Sequence, residues 1–243
     1  MFMSQTVDQN ELLKFSKIAD KWWDEHGPLK ALHDIHPLRM RYIVDYISKI
    51  IPKANFKSLS VLDLGCGGGL LSESMSRLGM KVFGIDASEE SINIARVHAS
   101  ERGLCNLKYS CMDIESLVNT EEKYDIITIM EIIEHVDNLP VFVNAVSNAL
   151  SDNGIIFLST LNRTKKSFLY AIVCAEYILK LVPRKTHQWG RFVKPSEIVN
   201  LFSLNGICVK NIMGMNFNMI RRSWVLSDDI SVNYILAAQK VSS

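Results

Sequence analysis

The stretch SLSVLDLGCGGGLLSESMSRLGMKVFGIDASEES, residues 58–91, decides how the chain is read. An apolar run, SVLDL (60–64), ends in clustered glycines; a helical pattern (69–78) follows, and a second apolar run, KVFGID (81–86), ends in Asp86. This is a strand, a tight turn, a helix and a second strand, the start of a parallel crossover. The alternation continues with candidate strands NLKYS (106–110), YDIITIM (124–130), GIIFLST (154–160), GICVKNIM (206–213) and SVNYILAAQ (231–239). Candidate helices cover 9–24, 37–50, 69–78, 88–101, 138–150, 167–181 and 195–203. The fourth and fifth strands are almost wholly apolar, as in a sheet covered on both faces. The expected fold is α/β: a doubly wound, mostly parallel seven-stranded sheet with helices on both faces. No helix separates the last two strands, which predicts an antiparallel strand near the C-terminus, paired at one edge.

In such sheets ligands bind beyond the carboxyl ends of the strands, where the strand order reverses. Gly65, Gly67, Gly68 and Gly69 stand there, and glycine lets backbone approach a ligand closely. Their spacing is G-x-G-x-G behind Asp63, not the G-x-G-x-x-G that seats a pyrophosphate on a helix N-terminus. A carboxylate beside the loop repels phosphate and suits the amino and sulfonium groups of S-adenosylmethionine. Asp86 can accept both hydroxyls of a ribose. A glycine-rich turn without ligand explains the loop alone but not the loop together with Asp86. In CMDIESL (111–117), Asp113 is a candidate acceptor for the adenine amino group, with Met112 or Ile114 against the ring; the alternative is a helix-capping aspartate. Met130 ends the fourth strand, beside the expected methionine part of the cofactor.

Composition narrows the classes. A chain of 243 residues, 48% hydrophobic and 22% charged, can build one domain with a full core and is not of disordered type. A net charge of +1 argues against nucleic acid as a partner. The five cysteines (66, 105, 111, 174, 208) are odd in number and form no CxxC pair, so neither a disulfide scaffold nor a four-thiolate zinc site is expected, and a reducing, cytoplasmic setting is. The start, MFMSQTVDQNELLKF, is acidic and lacks an apolar run, so no secretory leader is expected.

DLGCGGGLL, GIDASEESINIA, YDIITIMEIIEHV and GIIFLSTLNR resemble the class I S-adenosylmethionine-dependent methyltransferases, whose fold is Rossmann-like. KWWDEHGPLKALHDIHPLRMRYI (21–43), FLSTLNRTKKSFLYAIVCAEYILKLVPRKTH (157–187), RFVKPSEI (191–198) and DDISVNYILAAQK (228–240) are similar to the ubiquinone-biosynthesis O-methyltransferases, so the resemblance runs from about residue 9 to 240. It implies methylation of phenol or catechol hydroxyls on polyprenylated intermediates (3-demethylubiquinol and 2-polyprenyl-6-hydroxyphenol). Two other readings stay open: a methyltransferase for a soluble phenol, and a non-catalytic cofactor-binding scaffold among other ubiquinone-synthesis enzymes.

The resemblance also implies cofactor contacts at Arg39, Gly67, Asp86 and Met130. Arg39 would clamp the methionine carboxylate by a bidentate pair; the ordinary alternative is an exposed helix arginine. Glu131, Glu134 and His135 form E-x-x-E-H, and eukaryotic relatives are thought to bind magnesium through the matching residues. Such an ion would lower the pKa of a catechol hydroxyl. Otherwise Glu134 and His135 cap the next helix and shape the pocket. Without a metal, His135 or His187 is the candidate base for the phenol.

Residues 163–194 carry eight bases and one acid, a net +7 that leaves the remainder of the chain at −6. Within them SFLYAIVCAEYILKLV (167–182) is apolar almost all round, shorter than the ~20 residues a bilayer span needs, and flanked by Lys165, Lys166, Arg184 and Lys185. That is the pattern of a helix lying in an anionic membrane surface; a buried core helix is the alternative. The organisation expected is an N-terminal helical cap (1–55), a cofactor-binding core (56–162), a lid and membrane-contact insertion (163–194) and a C-terminal part of the same domain (195–243). The site of action expected is the inner face of the membrane, peripherally bound.

Overall fold

Successive side chains of a strand point to opposite faces, and in β1 (Ser60–Leu64) both faces are apolar. Val61 joins one buried cluster while Leu62 and Leu64 join the other. The computed structural model describes residues 21–51, 55–117, 122–169, 189–218 and 222–241. Four strands run parallel with β1: β2 (Lys81–Asp86), β3 (Leu107–Cys111), β4 (Tyr124–Met130) and β5 (Leu150–Leu161). β6 (Ile207–Asn218), β7 (Ser223–Ser227) and β8 (Asn233–Lys240) are antiparallel additions, and the sheet order is β3-β2-β1-β4-β5-β8-β6-β7. The chain lays β2 and β3 on one side of β1, then returns to place β4 and β5 on the other. The order reverses between β1 and β4, which opens the crevice at their carboxyl ends.

Helices cover both faces, as expected. α1 (Lys30–Ile50), α2 (Leu70–Arg77) and α3 (Glu89–Glu101) pack on the Val61 face, through Ile43, Ile47, Met75 and Ala99 among others. α4 (Leu139–Ala149) and α5 (Pro195–Leu204) pack on the Leu62 face through Phe142, Val146, Ile198 and Phe202.

Two details depart from the sequence reading. The seven expected strands are joined by an eighth, β7. β8 pairs with β6 only over Ile207–Met213, and the extension Gly214–Asn218 takes Ser223–Ser227 as its partner. The helix expected from residue 37 begins at Lys30, with Pro37 inside it. The buried stripe Ile35, Leu38, Tyr42, Ile43, Ile47 crosses the proline without a break, and burial of that face outweighs the one backbone bond a proline removes. Of the helix expected over 9–24, residues 21–24 form turns and the rest lie outside the described residues.

α1 and α2 meet at a polar contact: His36 Nε2 lies 2.8 Å from Ser74 Oγ. Burial first, then the nearby Arg39 charge, pushes the His36 pKa down from 6.5 to about 4. The folded chain therefore keeps His36 neutral where the unfolded chain has already taken a proton. Its contribution is intact above about pH 6.5 and is lost on acidifying towards pH 4, on the order of 3 kcal/mol in all. Urea unfolding at pH 7 and pH 4.5 should show a smaller loss for His36→Gln than for the parent; equal losses would exclude His36 as the group responsible.

Candidate active site

The crevice is built from the tips of β1, β2 and β4. Asp63, expected to face the ligand, is 2% exposed and turned inward. Its Oδ1 accepts from Thr128 Oγ1 at 2.6 Å and its Oδ2 from Ser72 Oγ at 2.5 Å. Burial raises its pKa to about 6, against the pull of these two donors. Asp63 ties β1 to β4 and α2.

Asp86 ends β2 half-buried. Its Oδ2 accepts the Gly67 N–H at 2.9 Å and its Oδ1 the Ser88 N–H at 2.8 Å. Burial raises its pKa while those backbone donors hold it down. A carboxylate oxygen has two lone pairs, so both oxygens remain able to accept a further hydroxyl. Gly67 reaches this position with φ +53°, a left-handed conformation that favours glycine.

The loop glycines have a second reason to be glycine. A Cβ on Gly65 would lie 2.1 Å from Ile132 Cδ1, one on Gly67 2.0 Å from Trp22 Cη2, one on Gly68 2.3 Å from Trp22 Cγ, and one on Gly69 2.1 Å from the Tyr109 hydroxyl. The protein's own side chains press on every one of them.

At the tip of β4, Arg39 and Glu131 form an ion pair, with the Arg39 side chain 8% exposed. Glu131 also accepts from Ser159 Oγ at 2.9 Å. Arg39 Nε is buried and has no hydrogen-bond partner. A buried donor without an acceptor is costly, and a ligand carboxylate supplies one. Arg39 at the β4 tip and Asp86 at the β2 tip flank β1 from opposite sides, one offering a buried donor and the other half-buried acceptors.

The three residues expected to hold magnesium do not form a ligand set. Glu131 has φ +56° and turns to Arg39 and Ser159. Ile133–His135 then form a 3-10 turn that points Glu134 into the protein, where its Oε2 accepts from Thr160 Oγ1 at 2.8 Å. Burial and the neighbouring Glu131 raise the Glu134 pKa well above the usual carboxylate range. One carboxylate is paired with arginine and the other is buried against Thr160, which leaves little for a hard cation. Among the described residues no three His, Cys, Asp or Glu side chains gather as a metal site.

His135 is half-buried at the end of that turn, at the carboxyl edge of the sheet, and His187 lies outside the described residues. Asp113 caps the turn Ile114–Leu117: its Oδ1 accepts the Ser116 N–H at 2.9 Å and the Ser116 hydroxyl at 2.7 Å. Ile114 belongs to the core, and Met112 is half-buried against it. Met130 is half-buried at the end of β4, opposite Ser159. Trp22 and Trp23, which pack on the glycine loop, belong to the N-terminal segment (1–55) expected to cap the site but were not singled out as site residues.

Residues 33–209 match the family described as a methyltransferase domain. The chain is 46% identical over 234 residues to the ubiquinone biosynthesis O-methyltransferase of Pelagibacter ubique, covering 95% of this chain and 97% of that one. It is 41% identical over 235 residues to the protein of the same name from Neisseria meningitidis serogroup C, covering 96% of each. Among solved structures, magnesium protoporphyrin IX methyltransferase from Synechocystis PCC 6803 with bound SAH superposes with a TM-score of 0.64 at 19% identity, covering 95% of this chain and 99% of that one. That likeness is one of fold.

Proposed function

The chain belongs to the ubiquinone biosynthesis O-methyltransferases, which are S-adenosylmethionine-dependent, and we propose that it methylates phenol or catechol hydroxyls of polyprenylated rings such as 3-demethylubiquinol and 2-polyprenyl-6-hydroxyphenol. The observation that supports the cofactor's placing is the unpartnered, buried Nε–H of Arg39 at the β4 tip, together with the half-buried Asp86 at the β2 tip.

Bound S-adenosylmethionine supplies a methyl group already activated by its sulfonium. Arg39 donates to the carboxylate of that cofactor, and Asp86 accepts from its ribose hydroxyls. Met130 lies beside the methionine part, Asp113 takes the adenine amino group through the carboxylate oxygen that its cap on Ser116 leaves over, and the backbone at Gly65 and Gly67 forms the wall between. With the leaving group already good, the protein contributes chiefly alignment of the attacking oxygen. A phenol has a free pKa of about 10 by analogy with tyrosine, and His135 at the crevice edge takes its proton. His187 is the second candidate for that role.

The test is transfer of labelled methyl from S-adenosylmethionine to short-chain 3-demethylubiquinol analogues. Transfer to prenylated rings in preference to a soluble catechol is the expected result. Equal rates would favour the soluble-phenol reading, and cofactor binding with no transfer the scaffold reading.

The substrate's prenyl tail places the reaction at a membrane surface. Among the described residues no helix is long and apolar enough to cross a membrane. Phe168 and Leu169 are exposed (45% and 51%), Trp189 is 38% exposed, and Lys165 stands beside them. Three of the local bases are already engaged: Arg163 pairs with Glu197, Lys166 with Asp229 and Arg191 with Asp137. The surplus that meets an anionic inner membrane face, or neighbouring enzymes of ubiquinone synthesis, is carried by the others. Reversing the charge of Lys165, Arg184 and Lys185 should weaken binding to phosphatidylglycerol-containing liposomes at least about a hundredfold and spare cofactor affinity. Unchanged liposome binding would refute the membrane contact.

A further inference from the structure

Trp22 and Trp23 precede α1, and neither has a part in the chemistry above. Trp22 is buried, with its indole pressed on Gly67 and Gly68 and its carbonyl oxygen 2.9 Å from His33 Nε2. Trp23 donates its Nε1–H to the Gly68 carbonyl at 3.1 Å and stacks on His98, with ring centroids 3.6 Å apart and planes inclined by 13°. His98 Nδ1 lies 2.6 Å from Glu73 Oε1. Glu73 is fully buried in α2, and its other oxygen accepts from Arg77 at 2.6 Å. Contacts therefore run without a gap from an interior carboxylate, through an imidazole and an indole, to the carbonyl of Gly68. The next residue back, Gly67, carries the N–H that Asp86 accepts.

We propose that Trp23 is a positioning residue for cofactor binding. Held by His98 and Glu73, it keeps Trp22 seated on the loop and so fixes the Gly67 N–H on Asp86 before the ligand arrives. A loop of four glycines is conformationally permissive, and ordering it at the moment of binding lowers affinity. Two large indoles with few rotatable bonds supply that order in advance. The proposal rests on the ribose being held at Asp86.

The experiment compares Trp23→Ala, Trp23→Phe, His98→Ala and His98→Phe. Calorimetric Kd for S-adenosylhomocysteine and the KM for S-adenosylmethionine should rise about tenfold in the two alanine variants. The loss should fall on KM rather than kcat. His98→Phe keeps both the stack and the Trp23 N–H on Gly68 and should recover most of it, whereas Trp23→Phe keeps the stack without that N–H and should recover only part. A lowered melting temperature with unchanged Kd, or His98→Phe no better than His98→Ala, would overturn the proposal. Asp86→Ala is measured alongside. If it retains affinity, the placing of the ribose fails; if it loses affinity while Trp23→Ala keeps it, only the role of Trp23 fails.

Discussion

Asp86→Ala is expected to weaken S-adenosylhomocysteine binding by about two orders of magnitude in calorimetric titration. The carboxylate has two duties. In the proposed reading it receives the ribose hydroxyls; in the fold it accepts the N–H groups of Gly67 and Ser88, holding the glycine loop to the start of α3. Hydrogen bonds to a charged acceptor are each worth roughly 1.5–3 kcal/mol, so two ribose contacts alone account for the loss. Asp86→Asn separates the duties. An amide oxygen can still accept one backbone N–H, so the fold should tolerate it, yet the amide cannot accept from both hydroxyls. Asparagine should therefore bind ligand nearly as poorly as alanine while melting closer to the parent. Full affinity in the asparagine variant would mean that Asp86 serves the loop alone.

Arg39→Ala should cost both stability and cofactor affinity. Its side chain is 8% exposed, and removing it leaves Glu131, 26% exposed, without its cation beside Glu134. Breaking one partner of such a pair costs roughly 3 kcal/mol, read as a shift in the urea midpoint. Affinity should fall about a hundredfold as the carboxylate clamp is lost. Adding Glu131→Gln removes the uncompensated charge. The double variant should regain much of the stability and none of the affinity. If affinity returned with stability, Arg39 would be a structural partner of Glu131 and nothing more.

The central strands were legible because β4 and β5 are covered by helices on both faces and so carry nearly unbroken apolar runs. β7 was not, since SWVLS is five residues, none of them buried, at a sheet edge with no periodicity long enough to read. Asp86 was legible as a carboxylate at a strand tip; Arg39, inside α1, was singled out only by the family resemblance, since a helix arginine is ordinarily exposed. The roles of Asp63 and of the E-x-x-E-H run were not legible. Asp63 is turned inward by hydroxyls 9 and 65 residues away, and Glu131 is turned from its neighbours by a single left-handed backbone angle.

Local order along the chain was thus enough to determine a doubly wound sheet with glycines and a carboxylate at its carboxyl edge, since side-chain period and turn chemistry depend on near neighbours. Tertiary structure alone decided which carboxylates face the crevice, which cation neutralises Glu131, and that an indole 45 residues upstream lies on the loop. Those outcomes depend on burial and on hydrogen-bond partners brought from distant segments, and spacing in the chain carries no record of them.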